Sequence, residues 1–128
     1  MKTARMELGK RGEDAVSEYL IGKGHMVIGR NWRSGHLEVD LITISEDGLH
    51  FVEVKSRMAP YTAEPELAVN ATKQRKIITA AKAWLRSAAK KNAGLAGLEL
   101  FFDVASVVFD GDDVELRYFP RAYMPVYY

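Results

Sequence analysis

No cysteine occurs among the 128 residues. That excludes disulfides, thiolate metal sites and a cysteine nucleophile, and it suits a reducing cytosol. No apolar run nears the ~20 residues that a membrane helix needs. The opening "MKTARMELGKRGEDAV" lacks the continuous apolar stretch of a secretory signal. The expectation is a soluble, cytoplasmic protein with no membrane partner. Histidine is scarce too: His25, His36 and His50 are too scattered for a zinc cluster. There is no P-loop, no G-x-G-x-x-G and no serine or threonine nucleophile motif. Repeats, linkers and low-complexity segments are also missing. Net charge is only +1, which by itself points to no polyanionic partner.

What is present is a core. With 48% hydrophobic residues, the chain can bury enough apolar surface to fold as one domain, 1–128, without metals or cross-links. Charge is uneven along it. Seven bases and no acid lie between Lys73 and Lys91, and six acids and no base between Glu99 and Glu115. Such asymmetry predicts a positive side able to attract phosphates; a merely solvated helix face is the plain alternative.

Periodicity places the elements. Leu8, Ala15, Val16, Tyr19 and Leu20 recur at helical spacing from about Glu7 to Gly22. A short strand follows from His25 to about Arg30. A hairpin comes next, near Leu37–Ile44 and Leu49–Arg57, with "SEDG" as its turn. "MAPYTAEPELAVNA" reads as an irregular crossing. A long helix starts near Thr72, its expected N-cap, and buries Ile77, Ile78, Ala81, Trp84, Leu85 and Ala88. "LELFFDVASVVF" suggests a strand buried on both faces, and "FDGDDVELRYF" a turn into a last strand. The fold class is α/β: a mixed central sheet flanked by helices, in the order αβββαβ(β).

The hairpin poses a chemical problem. Side chains alternate along a strand, so Glu38, Asp40, Ile42 and Ile44 share a face, and Phe51, Glu53, Lys55 and Arg57 likewise share a face. A turn centred on Glu46-Asp47 puts Asp40 opposite Glu53. One centred on Asp47-Gly48 puts it opposite Lys55. Either register gathers Asp40, Glu53 and Lys55. Carboxylates crowded in a half-buried place repel and lose hydration, unless a cation sits between them. Two carboxylates and the carbonyl of Val54 would suit Mg²⁺, which keeps several waters; Mn²⁺ is the expected substitute. Lys55 would orient a metal-activated water or neutralise developing charge. Cross-strand ion pairing on a surface hairpin is the competing account.

"GHLEVDLI" and "LHFVEVKSR" resemble the PD-(D/E)xK nuclease core. More narrowly, the chain resembles the YraN-like family of predicted endonucleases, relatives of archaeal Holliday-junction resolvases. The resemblance covers nearly the whole chain: "GKRGEDAVSEYLIGKGHMVIGRNWR" is similar to the family's opening helix and strand, "TKQRKIITAAKAWL" to its second helix, and "FFDVASV" to its R-F-D-V strand. It implies a restriction-endonuclease-like fold, a nucleic-acid substrate, and a Mg²⁺ site at Asp40, Glu53 and Lys55. There are departures. His36 and Leu37 separate Gly35 from Glu38, and Phe101 stands where the family has arginine.

Further residues follow. Glu13 falls at the edge of the first helix's apolar stripe, from which it can reach over the sheet, and it matches an acid of related resolvases. Helping the helix dipole is its other reading. Lys73 and Gln74 open the second helix, where the family has a lysine, and with Lys76 they suggest phosphate contacts. Arg33 and Arg57 would also meet the backbone. Asp103 interrupts an apolar strand and is expected to be a structural hydrogen-bonding carboxylate. The tail "YFPRAYMPVYY" is open to three readings: packing on the sheet edge, stacking on bases, or a dimer contact. The expected activity is Mg²⁺-dependent phosphodiester hydrolysis in nucleic acid, with DNA as partner and a homodimer to enlarge the recognition surface. A binding module of the same fold without turnover is the alternative.

Overall fold

The computed structural model describes residues 3–60 and 70–124. They form α1 (Ala4–Gly22), β1 (Met26–Ser34), β2 (Leu37–Ser45), β3 (Gly48–Met58), α2 (Ala71–Lys91), a 3-10 turn (Ala93–Gly97), β4 (Leu100–Asp110) and β5 (Asp113–Tyr123). The five strands make one sheet in sequence order. Every pairing is antiparallel except β3 with β4, which is parallel. The expected α/β class, mixed sheet and element order are what the chain adopts.

The two helices cover opposite faces. Val16 and Leu20 of α1 pack on Leu41, Val52, Ala105 and Val107. Ile77, Ile78, Ala81 and Trp84 of α2 pack on Ile42, Leu49, Phe51 and Phe102. Phe51 stacks on Phe102 at 5.5 Å and meets the edge of Trp84 at 5.9 Å. Burying one such ring contributes about 1.5–3 kcal/mol. β4 is buried on both faces, as its near-continuous apolar run requires.

Element ends differ from the sequence reading for local reasons. Thr3 caps α1, its hydroxyl accepting the Met6 N–H at 3.1 Å, so the helix begins before its apolar stripe does. Asn70, not Thr72, caps α2, accepting the Lys73 N–H at 2.9 Å. Asparagine is the better cap, and Thr72 falls inside the first turn. β1 continues to Ser34 through polar residues because it is an edge strand with a wet side. β5 likewise tolerates Pro120 as an edge strand. Tyr123 at its end stacks on Phe102 at 5.4 Å, which puts that part of the aromatic tail on the sheet. Residues 61–69 of the expected crossing and 125–128 of the tail lie outside the described residues.

Ser45 pairs with Gly48, so the β2–β3 turn centres on Glu46-Asp47. Gly48 is required there: its φ is +142°, and a Cβ would stand 2.3 Å from the Glu99 carbonyl oxygen.

A second glycine sets the height of α1 over the sheet. A Cβ on Gly12 would lie 2.9 Å from Ser56 Cβ, and closer still to its hydroxyl. Gly12→Ala is therefore expected to destabilise the fold by about 1–3 kcal/mol through overpacking. Gly9→Ala, with nothing near its Cβ, should instead stabilise by about 0.5–1 kcal/mol. Denaturant unfolding of the two variants checks the contrast.

Candidate functional site

The pairs between β2 and β3 end at Leu41 and Val52. Continuing that register brings Asp40 opposite Glu53. No backbone bridge forms there. Instead the Asp40 carboxylate accepts the Val54 N–H at 2.8 Å. Strict alternation also breaks at this point. Leu41 packs on the α1 side and Ile42 on the α2 side, yet Val39 joins Ile42. β2 thus parts from β3 as it passes Asp40 while staying paired with β1. A small cavity of about 90 Å³ lies there, lined by Glu38, Val39, Asp40, Val52, Glu53, Lys73 and Ile77.

The electrostatics of this cavity are unfavourable as they stand. Burial, together with the charges of Glu13, Glu53 and Glu38, raises Asp40 to about 6, even though the Val54 N–H pulls it down. Glu53 is 8% exposed. One of its oxygens takes the ammonium of Lys73, and the other, Oε2, is buried with no hydrogen-bond partner. A buried carboxylate oxygen without a donor is costly, and such groups normally have one.

Glu13 faces the site from α1, near enough for its charge to act on Asp40. It is held from the other side: Oε1 accepts from Asn31 Nδ2 at 2.9 Å and lies 3.5 Å from Arg30 Nε. Asn31 has a left-handed φ of 51°, a conformation asparagine tolerates better than most residues. Neither Asn31 nor Arg30 stood out in the sequence, because nothing in an edge strand's pattern marks a side chain that braces a helix across the fold.

Asp40, Glu53 and Lys73 are therefore brought together, with Glu13 and Glu38 around them. The described residues lining the cavity do not include Lys55, Gln74, Lys76, Arg33 or Arg57. Lys55 lies two residues beyond Glu53 on β3, paired with Ser106 of β4, and is half-buried. Arg33 is exposed with Glu38 at 3.5 Å, Arg57 binds the Ser56 carbonyl at 2.9 Å, and Lys76 is exposed on α2. Lys73 is read from sequence as a phosphate contact, but here it rests on a carboxylate of the chain itself.

The carboxylates suit a divalent cation that keeps its water. Among the described residues, no three His, Asp or Glu side chains form a ready metal cage. Two carboxylates, one with an unsatisfied oxygen, are the donor set that Mg²⁺ commonly accepts, with water completing its shell.

A second polar cluster lies on the other end of the hairpin. Asp103 is fully buried. It accepts from His50 Nδ1 at 2.6 Å, from the Arg121 N–H at 2.9 Å and from the Tyr118 hydroxyl. This is the structural role expected of it. Ser45, His50 and Asp103 are spaced like a nucleophile, base and acid, but they do not work as one. His50 Nε2 lies 2.7 Å from Asp47 and 3.2 Å from Ser45, whose hydroxyl also bonds Asp47. While it is protonated, a ring clamped between two carboxylates donates from both nitrogens and has no lone pair with which to accept the serine proton.

Burial opposes the charge on His50, but hydrogen bonds to Asp103 and Asp47 carry it above its ordinary value of 6.5. Since the folded-state value is the higher, this clamp stabilises fully below about 6.5 and is lost as pH rises through the raised value. His50→Asn should therefore flatten the stability–pH profile on that alkaline side, as unfolding across a pH series would show.

Comparison with known proteins adds the family. The model of "Uncharacterised protein family UPF0102" matches residues 12–107. A UPF0102 protein of Bacteroides thetaiotaomicron is 33% identical over 119 residues, covering 93% of each chain. One of Syntrophotalea carbinolica is 37% identical over 123 residues, covering 96% of each. Among solved structures, "The structure of Pyrococcus Furiosus SfsA in complex with Ca2+" matches with 18% identity and a TM-score of 0.38. That match covers 88% of this chain and 62% of the other.

Proposed function

The chain belongs to the UPF0102 family, and from that premise and the acidic cavity we propose that it is a Mg²⁺-dependent endonuclease hydrolysing phosphodiester bonds in nucleic acid. The observation that carries this reading is the buried, unpartnered oxygen of Glu53, a residue that lines the same cavity as an Asp40 raised to about 6. Folding gathers three carboxylates there, those of Glu38, Asp40 and Glu53, against the single ammonium of Lys73, which favours a further cation and is a poor way to stabilise a hairpin.

Asp40 and Glu53 would hold the ion, with the Val54 carbonyl beside them. When bound, Mg²⁺ would polarise a phosphate and supply a nucleophilic water near neutral pH. The chain's own residues do the rest. The Val54 N–H fixes the Asp40 carboxylate. Asn31 and Arg30 hold Glu13 at the margin, where its charge raises the cavity's demand for a cation. Lys55 would neutralise charge building up on the phosphate. The exposed bases of α2, with Arg33 and Arg57, would take the backbone on either side of the cut, independently of sequence. DNA is the proposed partner, and a homodimer would give so small a domain the surface to grip a branched one.

The direct test is a cleavage screen over branched, single-stranded and duplex DNA and RNA, with Mg²⁺ or Mn²⁺. Metal-dependent nicking of at least one substrate is expected. A protein that binds these substrates in a salt-dependent way yet cuts none of them is a binding module instead.

A further inference from the structure

Lys73 occupies a position where its charge is unwelcome. It is the third residue of α2, in a first turn that holds no acid, although the positive end of a helix favours anions. The backbone N–H of Lys73 is already satisfied by the Asn70 side chain. The negative charge this helix end lacks comes from Glu53 on β3, whose Oε1 takes the Lys73 ammonium. The two partners are unequal. Glu53 is 8% exposed on a central strand, whereas the Lys73 side chain is 55% exposed on four rotatable bonds. Glu53 is fixed and Lys73 can leave. The pairing also satisfies only half of the carboxylate, since Oε2 stays without a partner.

We infer that Lys73 is an internal stand-in for the divalent cation: its ammonium holds Glu53 while the seat has no metal, and cation entry displaces it toward the phosphate backbone. The inference rests on the metal-dependent reading above and adds to it an order of events. The cavity of about 90 Å³ beside Asp40 has room for an ion with a few waters, and Lys73 lines it, so an ion that takes Glu53 comes up against the ammonium already on that carboxylate. Two cations on one carboxylate repel, and the one on the flexible, exposed stem is the one that can move away. Once displaced, the lysine still stands at the N-terminus of α2, where ammonium and backbone together favour an anion from outside. The exchange couples metal loading to substrate capture. A phosphate contact is made available only after the ion is seated, so metal and nucleic acid should each strengthen binding of the other.

Calorimetric titration of Mn²⁺ into the full-length protein tests this without any need for cleavage. Wild type should bind Mn²⁺, and Glu53→Gln should not. Lys73→Met keeps the stem but removes the competitor. It should bind Mn²⁺ more tightly, on the order of tenfold, because the seat is no longer occupied part of the time. Lys76→Met removes the same charge from an exposed position of the same helix and should change affinity by less than about twofold, since distant exposed charges are screened. Lys73→Arg should move the other way, because its planar fork grips a carboxylate more firmly. That variant also keeps Glu53 paired if Lys73→Met folds poorly.

If Glu53→Gln abolishes binding while Lys73→Met and Lys73→Arg match wild type, Lys73 does not compete and the inference fails, with the metal site intact. If Lys76→Met tightens binding as much as Lys73→Met, the effect is general electrostatics and the inference fails again. If wild type and Lys73→Met bind no Mn²⁺ at millimolar concentration, the metal reading falls and takes this inference with it.

Discussion

Asp40→Asn should abolish cleavage and, at neutral pH, make the protein more stable. Both effects come from one charge. The Asn side chain keeps the size and an oxygen for the Val54 N–H, so the strand junction stays as it is. Cleavage should drop by orders of magnitude because the proposed Mg²⁺ site would lose one of its two charges. Nucleic-acid affinity measured without metal should hold or improve, with one anion fewer facing the phosphates. Stability follows by linkage. The folded-state value of Asp40 is raised from 3.8 to about 6, so ionisation opposes folding. The penalty is absent below 3.8, grows between 3.8 and about 6, and is constant above that. Two units correspond to roughly 3 kcal/mol, an upper figure for what Asn relieves. Unfolding should thus show a gain at pH 7–8 that vanishes toward pH 4. A variant that is no more stable than wild type at pH 8 would mean the Asp40 charge is well compensated. Undiminished cleavage would remove Asp40 from the catalytic set.

Lys55→Ala should separate chemistry from metal binding. Lys55 follows Glu53 by two residues on β3, so it shares that strand face without lining the cavity. Its expected work is on the phosphate and the water, not on the ion. Turnover should fall by about 10²–10³-fold, the usual cost of removing one donor aimed at developing charge. Mn²⁺ affinity should stay near that of wild type. Lys55→Arg should recover part of the rate, since it restores the charge with a different reach. If Mn²⁺ affinity falls together with turnover in Lys55→Ala, the lysine shapes the seat and does not act on substrate.

Set beside Lys73, this divides the labour of two lysines that sequence alone would treat alike. Loss of Lys55 should cost rate and leave the ion. Loss of Lys73 should strengthen the ion's hold.

Several features were fixed by sequence because their physics is local. Alternation and turn residues placed the β2–β3 hairpin to within a residue or so, and helical spacing found the buried stripe of α2. The double-sided burial of β4 followed from an apolar run with no polar face. Asp103 was marked as structural because a carboxylate inside such a strand must find donors, and His50, Tyr118 and the Arg121 N–H supply them. That Asp40 and Glu53 would meet was a matter of counting from the turn, once its centre lay at Glu46-Asp47.

Tertiary structure alone decided the rest, since it depends on groups far apart in sequence. The break in alternation at Asp40 arises from how Val39 packs under α2, and no local pattern of β2 encodes it. Asn31 and Arg30 reach Glu13 only because α1 lies across β1, at a height that Gly12 and Ser56 set. The Asp47–His50–Asp103 clamp joins a turn to the parallel strand β4 through a pairing that no hairpin rule predicts. Lys73 looked from sequence like one more base on a basic helix. Its charge is balanced by Glu53, twenty residues earlier, because α2 packs on the sheet face that carries Glu53. Sequence shows which residues carry charge; only the folded chain determines which charges must share one carboxylate.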